Sequence, residues 1–249
     1  MEVLFLGTGT TVPSAARGPP GLLVKAGEDH LPFDMGPGSL RKVVEAGADL
    51  GRIDHLFFTH AHPDHVADLL PFLHASRWTP GLRRGDLWVV GPKEVRAFGE
   101  LLLAFEPFNI RPRGYRVRFQ VVGEDTVEGP GWKVLSRPVA HGIGAVGYRV
   151  ECGGKTLAYS GDTDYCTGIV ELGRDADLLI LECSFPDGEK VPNHLTPSEA
   201  GRIASEAGAK RLALTHFYPA CHGRDIKREC SSRYGGEIVM AEDGMRLRV

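Results

Sequence analysis

A chain of 249 residues, 42% hydrophobic and 24% charged, has the make-up of an ordinary globular protein and is long enough to bury a sizeable core. A net charge of −3 argues against a broad basic field that would draw the whole molecule onto nucleic acid, and leaves only local basic patches open. The opening MEVLFLGTGT lacks a basic n-region and an apolar run long enough for a secretory signal. No stretch is apolar enough to span a bilayer, so a cytoplasmic protein that avoids the membrane is expected.

In chain order, Val3–Leu6 reads as a buried strand ending at the glycines of GTGT, followed by short strands at Gly21–Ala26 and Leu31–Phe33 that lead into Asp34-Met-Gly. Ser39–Ala46 reads as a helix stopped by Gly47. Ile53–Thr59 is a nearly continuous apolar run, the pattern of a strand covered on both faces. The segment NIRPRGYRVRF alternates Tyr115, Val117 and Phe119 with Arg116 and Arg118. With Arg111 and Arg113 beside it and Arg77, Arg83 and Arg84 upstream, it is expected to be a strand with one wet, basic face, and phosphate steering is the alternative. Trp132–Val139 is the next strand. Tyr148–Glu151 and Thr156–Ser160 flank Gly153-Gly154, a two-glycine hairpin signal. Asp177–Leu181 and Arg211–Thr215 are further strands. Between them Thr196-Pro-Ser-Glu199 forms a capping box that opens a helix ending near Gly208. Cys152, Cys166, Cys183, Cys221 and Cys230 make no C-x-x-C pair, so free and mostly buried thiols are expected. Runs of strands with interspersed helices point to two sheets with helices outside, a layered α/β sandwich formed by residues 1–249 as one domain.

The chemistry concentrates at residues 59–65, THAHPDH. On a helix His60 and His62 would face different sides. The cluster is therefore a loop device at a strand end, with Pro63 fitting the first turn of a following helix and Asp64 and His65 projecting from that turn. A catalytic zinc takes imidazole nitrogen and carboxylate oxygen, usually from three protein ligands. Three other strand ends offer such donors: His141, Asp162 in SGDT and His216 in LTHF.

THAHPDH, HGIG, SGDT and LTHF, in that order and across essentially the whole chain, resemble the metallo-β-lactamase superfamily, a four-layer αββα sandwich with a two-metal site. The resemblance implies that His60, His62 and His141 bind the first of two divalent ions. Asp64, His65 and His216 would bind the second, with Asp162 bridging. The expected metal is zinc, and manganese or iron could use the same ligands. It also implies that Asp34, in the D-x-G position, orients a ligand from behind. Two such ions would supply hydroxide at neutral pH as the nucleophile.

Asn193-His194-Leu195-Thr196 narrows the substrate. Together with the opening LFLGTGTTVPS and the ending EIVMAEDGMRLRV, it resembles ribonuclease Z and its phosphodiesterase relatives. By that resemblance Asp64 and His194 are the candidate catalytic residues, Asp64 positioning the nucleophile and His194 assisting the leaving alkoxide. Two departures stand out. Only twenty residues separate His141 from Asp162, so the long arm with which transfer RNA 3′-processing enzymes grip their substrate has no place here. LECSF also replaces the H-E-A-T box, keeping Glu182 as a supporting residue but putting Leu181 at its histidine. The expectation is an arm-less phosphodiesterase acting on nucleotides or RNA. A transfer RNA endonuclease, or a hydrolase of thioesters, lactones or β-lactams, is the alternative. Relatives often dimerise, which leaves a homodimer among the open states.

Overall fold

The computed structural model describes residues 1–79, 81–83 and 85–249. The first half of the chain supplies strands β1 (Glu2–Gly7), β2 (Gly21–Ala26), β3 (Asp29–Met35), β4 (His55–Phe57), β5 (Leu87–Gly91) and β6 (Val117–Val121). The second half supplies β7 (Thr126–Gly129), β8 (Trp132–Pro138), β9 (Val146–Cys152), β10 (Lys155–Tyr159), β11 (Leu178–Glu182), β12 (Arg211–Thr215) and β13 (Glu237–Met240), and β14 (Arg246–Arg248) crosses back to pair with β1. Two seven-stranded sheets result, in the orders β14-β1-β2-β3-β4-β5-β6 and β13-β12-β11-β10-β9-β8-β7. In each, antiparallel pairing gives way to parallel, at β3 in the first and at β10 in the second.

Alternation along the strands divides the apolar side chains between three cores, because successive residues point to opposite faces. From β1, Val3 and Phe5 enter the layer between the sheets, whereas Leu4 and Leu6 face outward. The inner layer is aromatic at its centre. Phe33 stacks on Phe57 at 4.8 Å, and Tyr148 from the opposite sheet meets both edge-on at 5.4 and 5.6 Å. Outside the first sheet lie α1 (Ser39–Glu45), α2 (Pro63–Val66), α3 (Leu69–Trp78) and α4 (Lys93–Ala104), which bury Val43, Val66, Phe72 and Val95. Outside the second lie α5 (Thr167–Leu172), α6 (Pro197–Ala207) and α7 (Ile226–Ser231), burying Ile169, Ile203 and Ile226. This is the expected αββα sandwich. Among the described residues no helix is long and apolar enough to cross a membrane.

The local signals translate directly. Gly153 and Gly154, at φ 59° and 73°, form the two-residue turn between paired Cys152 and Lys155. The Thr196–Glu199 capping box is formed, with Pro197 in the first turn of α6 and Gly208 at φ 65° ending it. All five cysteines are free, and Cys183, Cys221 and Cys230 are buried.

Two expectations need revision. Ile53–Thr59 is a strand only over His55–Phe57, because the Thr59 amide leaves the ladder to donate to Asp34 Oδ1 at 2.8 Å. The arginine-rich segment is a strand only from Val117 onward. Its basic face is broken: Arg118 is held by Asp86, and Arg83 is buried, donating to the Leu50 and Ile53 carbonyls and to Asp54. Arg84 lies outside the described residues.

Candidate metal centre

At the end of β4 the chain turns out of the sheet, and His62 takes an extended conformation (φ −65°, ψ 145°) as the residue capping α2. Pro63 fills the first position of that helix, where its missing N–H costs nothing. Asp64 and His65 follow in the first turn, turned inward and buried. Gly36 makes this possible, since a β-carbon there would lie 2.1 Å from the Asp64 carbonyl oxygen. Asp162, His141 and His216 come from the opposite sheet, just past β10, β8 and β12. β4, β10 and β12 have parallel neighbours, and the carboxyl ends of such strands are where α/β sheets form their crevices, whereas β8 pairs only antiparallel.

Three overlapping groups of donors result. His60, His62, His141 and Asp162 each offer one atom within 4.8 Å of the others, as do Asp64, His65 and His216, and a third group joins His194 to Asp162 and His216. In the first, His62 Nδ1 lies 3.0 Å from His60 Nε2 and 3.3 Å from His141 Nε2, and both Nε2 atoms lie 3.9 Å from Asp162 Oδ2. In the second, His65 Nε2 and His216 Nε2 each lie 3.8 Å from Asp64 Oδ2, and 3.3 and 3.2 Å from Asp162 Oδ1. Asp162 thus presents one oxygen to each of these two.

The donors suit a divalent transition metal: imidazole nitrogens and carboxylates, inward-facing and mostly buried. Among the described residues, His65 Nε2, His216 Nε2 and Asp162 Oδ1 are buried without a hydrogen-bond partner, a costly arrangement unless a cation takes their lone pairs. The electrostatics agree. Complete burial pulls the His65 imidazole down, yet Asp162 and Asp34 raise its pKa well above the ordinary value. Burial pushes Asp162 up, yet His216 and His65 hold it well below the carboxylate range. Positive charge is favoured beside Asp162 and Asp34, whereas burial and the neighbouring imidazoles push the pKa of His60 well below its ordinary value and lower that of His62.

Behind the donors, the other ring nitrogen is fixed in four of the five histidines, which sets the tautomer that points Nε2 inward. Asp34 accepts from the Thr59 hydroxyl at 2.9 Å, and that hydroxyl lies 3.0 Å from His60 Nδ1. The same carboxylate lies 2.8 Å from His65 Nδ1 and accepts from Tyr159 Oη at 2.9 Å. On the other sheet Glu182 accepts from Ser184, whose hydroxyl lies 2.9 Å from His216 Nδ1. His141 Nδ1 donates to the Asn193 carbonyl at 2.9 Å. Each sheet therefore contributes a carboxylate–hydroxyl–imidazole relay. Asp34, Asn193 and His216 all have positive φ (54°, 69° and 60°), the local strain that accumulates at functional sites.

His194 borders the first two groups, its ring 5.0 Å from His141 and 5.9 Å from His216. Its Nδ1 lies 3.1 Å from Glu182. Burial alone would lower its pKa, but the Glu182 hydrogen bond and charge raise it above the ordinary histidine value. Phe185 and Tyr218, stacked at 4.6 Å, stand beside it. The sequence reading brought out Asp34 and Glu182 but not Thr59, Tyr159, Ser184 or Asn193. Of these, only Thr59 and Ser184 carried a signal, as hydroxyls next to or two residues from a candidate. His30, His55, His74 and His222 belong to none of these groups.

Residues 22–217 match the sequence profile of the Beta-lactamase superfamily domain. Ribonuclease Z of Haloferax volcanii is 30% identical over all of this chain and 95% of its own. Ribonuclease Z of Methanosarcina acetivorans is 26% identical over all of this chain and 98% of its own. That alignment runs to 305 residues against 249 here, so the relative carries stretches with no counterpart. Among solved structures, human tRNase Z, short form, superposes with TM-score 0.78 and 26% identity, covering 100% of this chain and 99% of that one. The metallo-beta-lactamase fold protein YhfI from Bacillus subtilis superposes with TM-score 0.85 at 24% identity, covering 99% and 98%.

Proposed function

The chain belongs to the beta-lactamase superfamily, on its ribonuclease Z-like branch, and we propose that it is a metal-dependent phosphodiesterase acting on nucleotides or RNA. The observation that carries this is the pair of donor groups sharing Asp162, with His194 alongside both. His60, His62 and His141 would hold one divalent ion and Asp64, His65 and His216 a second, zinc being the metal that suits these ligands. Such ions, when bound, act as Lewis acids and bring the pKa of water toward neutrality.

The protein's own groups divide the remaining work. Asp64 and Asp162 are acceptors that orient the attacking water toward phosphorus. His194, kept protonated by Glu182, donates its proton to the departing alkoxide, a contribution of about 10²–10⁴ for a well-placed general acid. The Thr59 and Ser184 relays keep the histidine ring planes fixed throughout.

Metal-loaded protein is expected to hydrolyse bis(p-nitrophenyl) phosphate, and Asp162→Ala to abolish that turnover. Metal-replete protein that leaves the diester intact would sink the reading and redirect the search to thioesters and lactones. Similarity to proteins called ribonuclease Z along the full chain favours a second reading, transfer RNA 3′ processing. The two-residue turn between β9 and β10, where the resemblance would place an arm, weighs against it. Specific cleavage of an unprocessed transfer RNA transcript would decide for it.

A further inference from the structure

Lys190 lies in no helix or strand, on the loop between β11 and α6, and its sequence context gave it no role. Its ammonium group has three acceptors from three segments: Asp164 Oδ1 at 2.7 Å, the His194 carbonyl at 2.6 Å and Glu199 Oε2 at 2.6 Å. An ammonium has three N–H donors, so none remains for a substrate phosphate. Each acceptor belongs to a different part of the site's frame. Asp164 follows Asp162 by two residues, is bridged to Ala140 beside His141, and also accepts from the Asn193 amide at 3.0 Å. Glu199 closes the capping box that starts α6. The Asn193 carbonyl, one residue before His194, accepts a hydrogen bond from His141 Nδ1. The turn carrying His194 is thus pinned on both sides, and Lys190 is the only side chain that reaches all three pieces among the described residues.

We propose that Lys190 is a positioning residue for the reaction: by tying Asp164, the His194 carbonyl and Glu199 together, it fixes the 193–195 turn so that His194 can deliver its proton to the leaving group. This rests on the reading of His194 as the acid. Surface ion pairs usually contribute little to stability, so the role shows in the chemistry. A leaving group that needs no proton is insensitive to a displaced acid, whereas an alkoxide is not.

The test compares two diesters with metal-loaded protein: bis(p-nitrophenyl) phosphate, whose nitrophenolate leaves unassisted, and the dinucleotide uridylyl-(3′,5′)-uridine, whose alkoxide does not. Lys190→Met is expected to lower kcat on the dinucleotide by about 10- to 100-fold, the range of a misplaced catalytic group, with KM little changed. The nitrophenyl diester should lose no more than about 3-fold, and Lys190→Arg should recover most of the dinucleotide rate. Thermal unfolding of each variant checks the fold, and Lys190→Gln replaces the methionine variant if that one does not fold. Equal losses on both diesters would reduce Lys190 to a structural tie and overturn the proposal, as would an undiminished dinucleotide rate. A wild type active only on the nitrophenyl diester also overturns it, because no alkoxide is then being protonated. If His194→Ala shows no preference between the two diesters, the acid role fails first and the proposal falls with it. If the wild type cleaves neither, the phosphodiesterase reading falls and takes both along.

Discussion

Asp34 accepts from the Thr59 amide and hydroxyl, His65 Nδ1 and Tyr159 Oη, all buried. Asp34→Ala would strand those donors and free the His65 ring, and the affinity for zinc is expected to fall by about 10- to 100-fold. Competition with a chromophoric chelator measures this, and an unchanged affinity would mean that Asp34 does not orient His65. The donors themselves were legible because each sits in a short, chemically odd stretch at a strand end. Their supports were not. Thr59 reaches Asp34 across 25 residues and Asn193 reaches His141 across 52, and no local pattern announces a bond of that span. Arg83 illustrates the converse. Its sequence neighbours suggested a basic patch, but the fold turns its guanidinium inward to three carbonyls and Asp54.

Among the elements, the junction of β3 and α2 depends on Gly36 for space rather than for backbone freedom. Gly36→Ala would drive a methyl group into the Asp64 carbonyl 2.1 Å away. An overpacking cost of about 1–3 kcal/mol is expected from denaturant unfolding, with weaker zinc binding as the companion effect. A variant as stable as the wild type would show that this junction can open. At the other end of the second sheet, Asp177 joins β10, β11 and β12 by accepting from Lys155, Lys210 and the Thr156 amide. Its slight burial acts upward, but these partners bring its pKa down to about 2. A depressed carboxylate stabilises the fold above its unfolded pKa of about 3.9 and loses that contribution as pH falls toward the folded value. The Tm advantage of wild type over Asp177→Asn should therefore be largest above about pH 4 and fade toward pH 2. A pH-independent difference would contradict this. Periodicity and glycine signals located most of these elements. The shortened β4 escaped because the apolar run extends beyond Phe57 to Thr59, whose amide Asp34 captures.

Across the whole molecule, the donors are divided between the sheets: His60, His62, Asp64 and His65 belong to the first, and His141, Asp162 and His216 to the second. Ions held by these residues would tie the two sheets together and favour the folded state. Free zinc about 1,000-fold above its dissociation constant would add about 4 kcal/mol of stability. Calorimetry should show a marked drop in Tm on adding a chelator, and an unchanged Tm would mean that these residues hold no ion. Two sheets with helices outside were legible because strand runs and helix caps are local, and the family resemblance supplied the four-layer order. The division of donors between sheets was not, since it depends on strand order. That order has a further meaning. Both sheets change from antiparallel to parallel pairing at one strand, β3 in one and β10 in the other, and just at or beyond the end of that strand stands an aspartate, Asp34 or Asp162. The two sheets therefore place a carboxylate at the same topological point and use it differently: Asp162 faces the donor nitrogens of His65 and His216, while Asp34 holds His65 and Thr59 from behind.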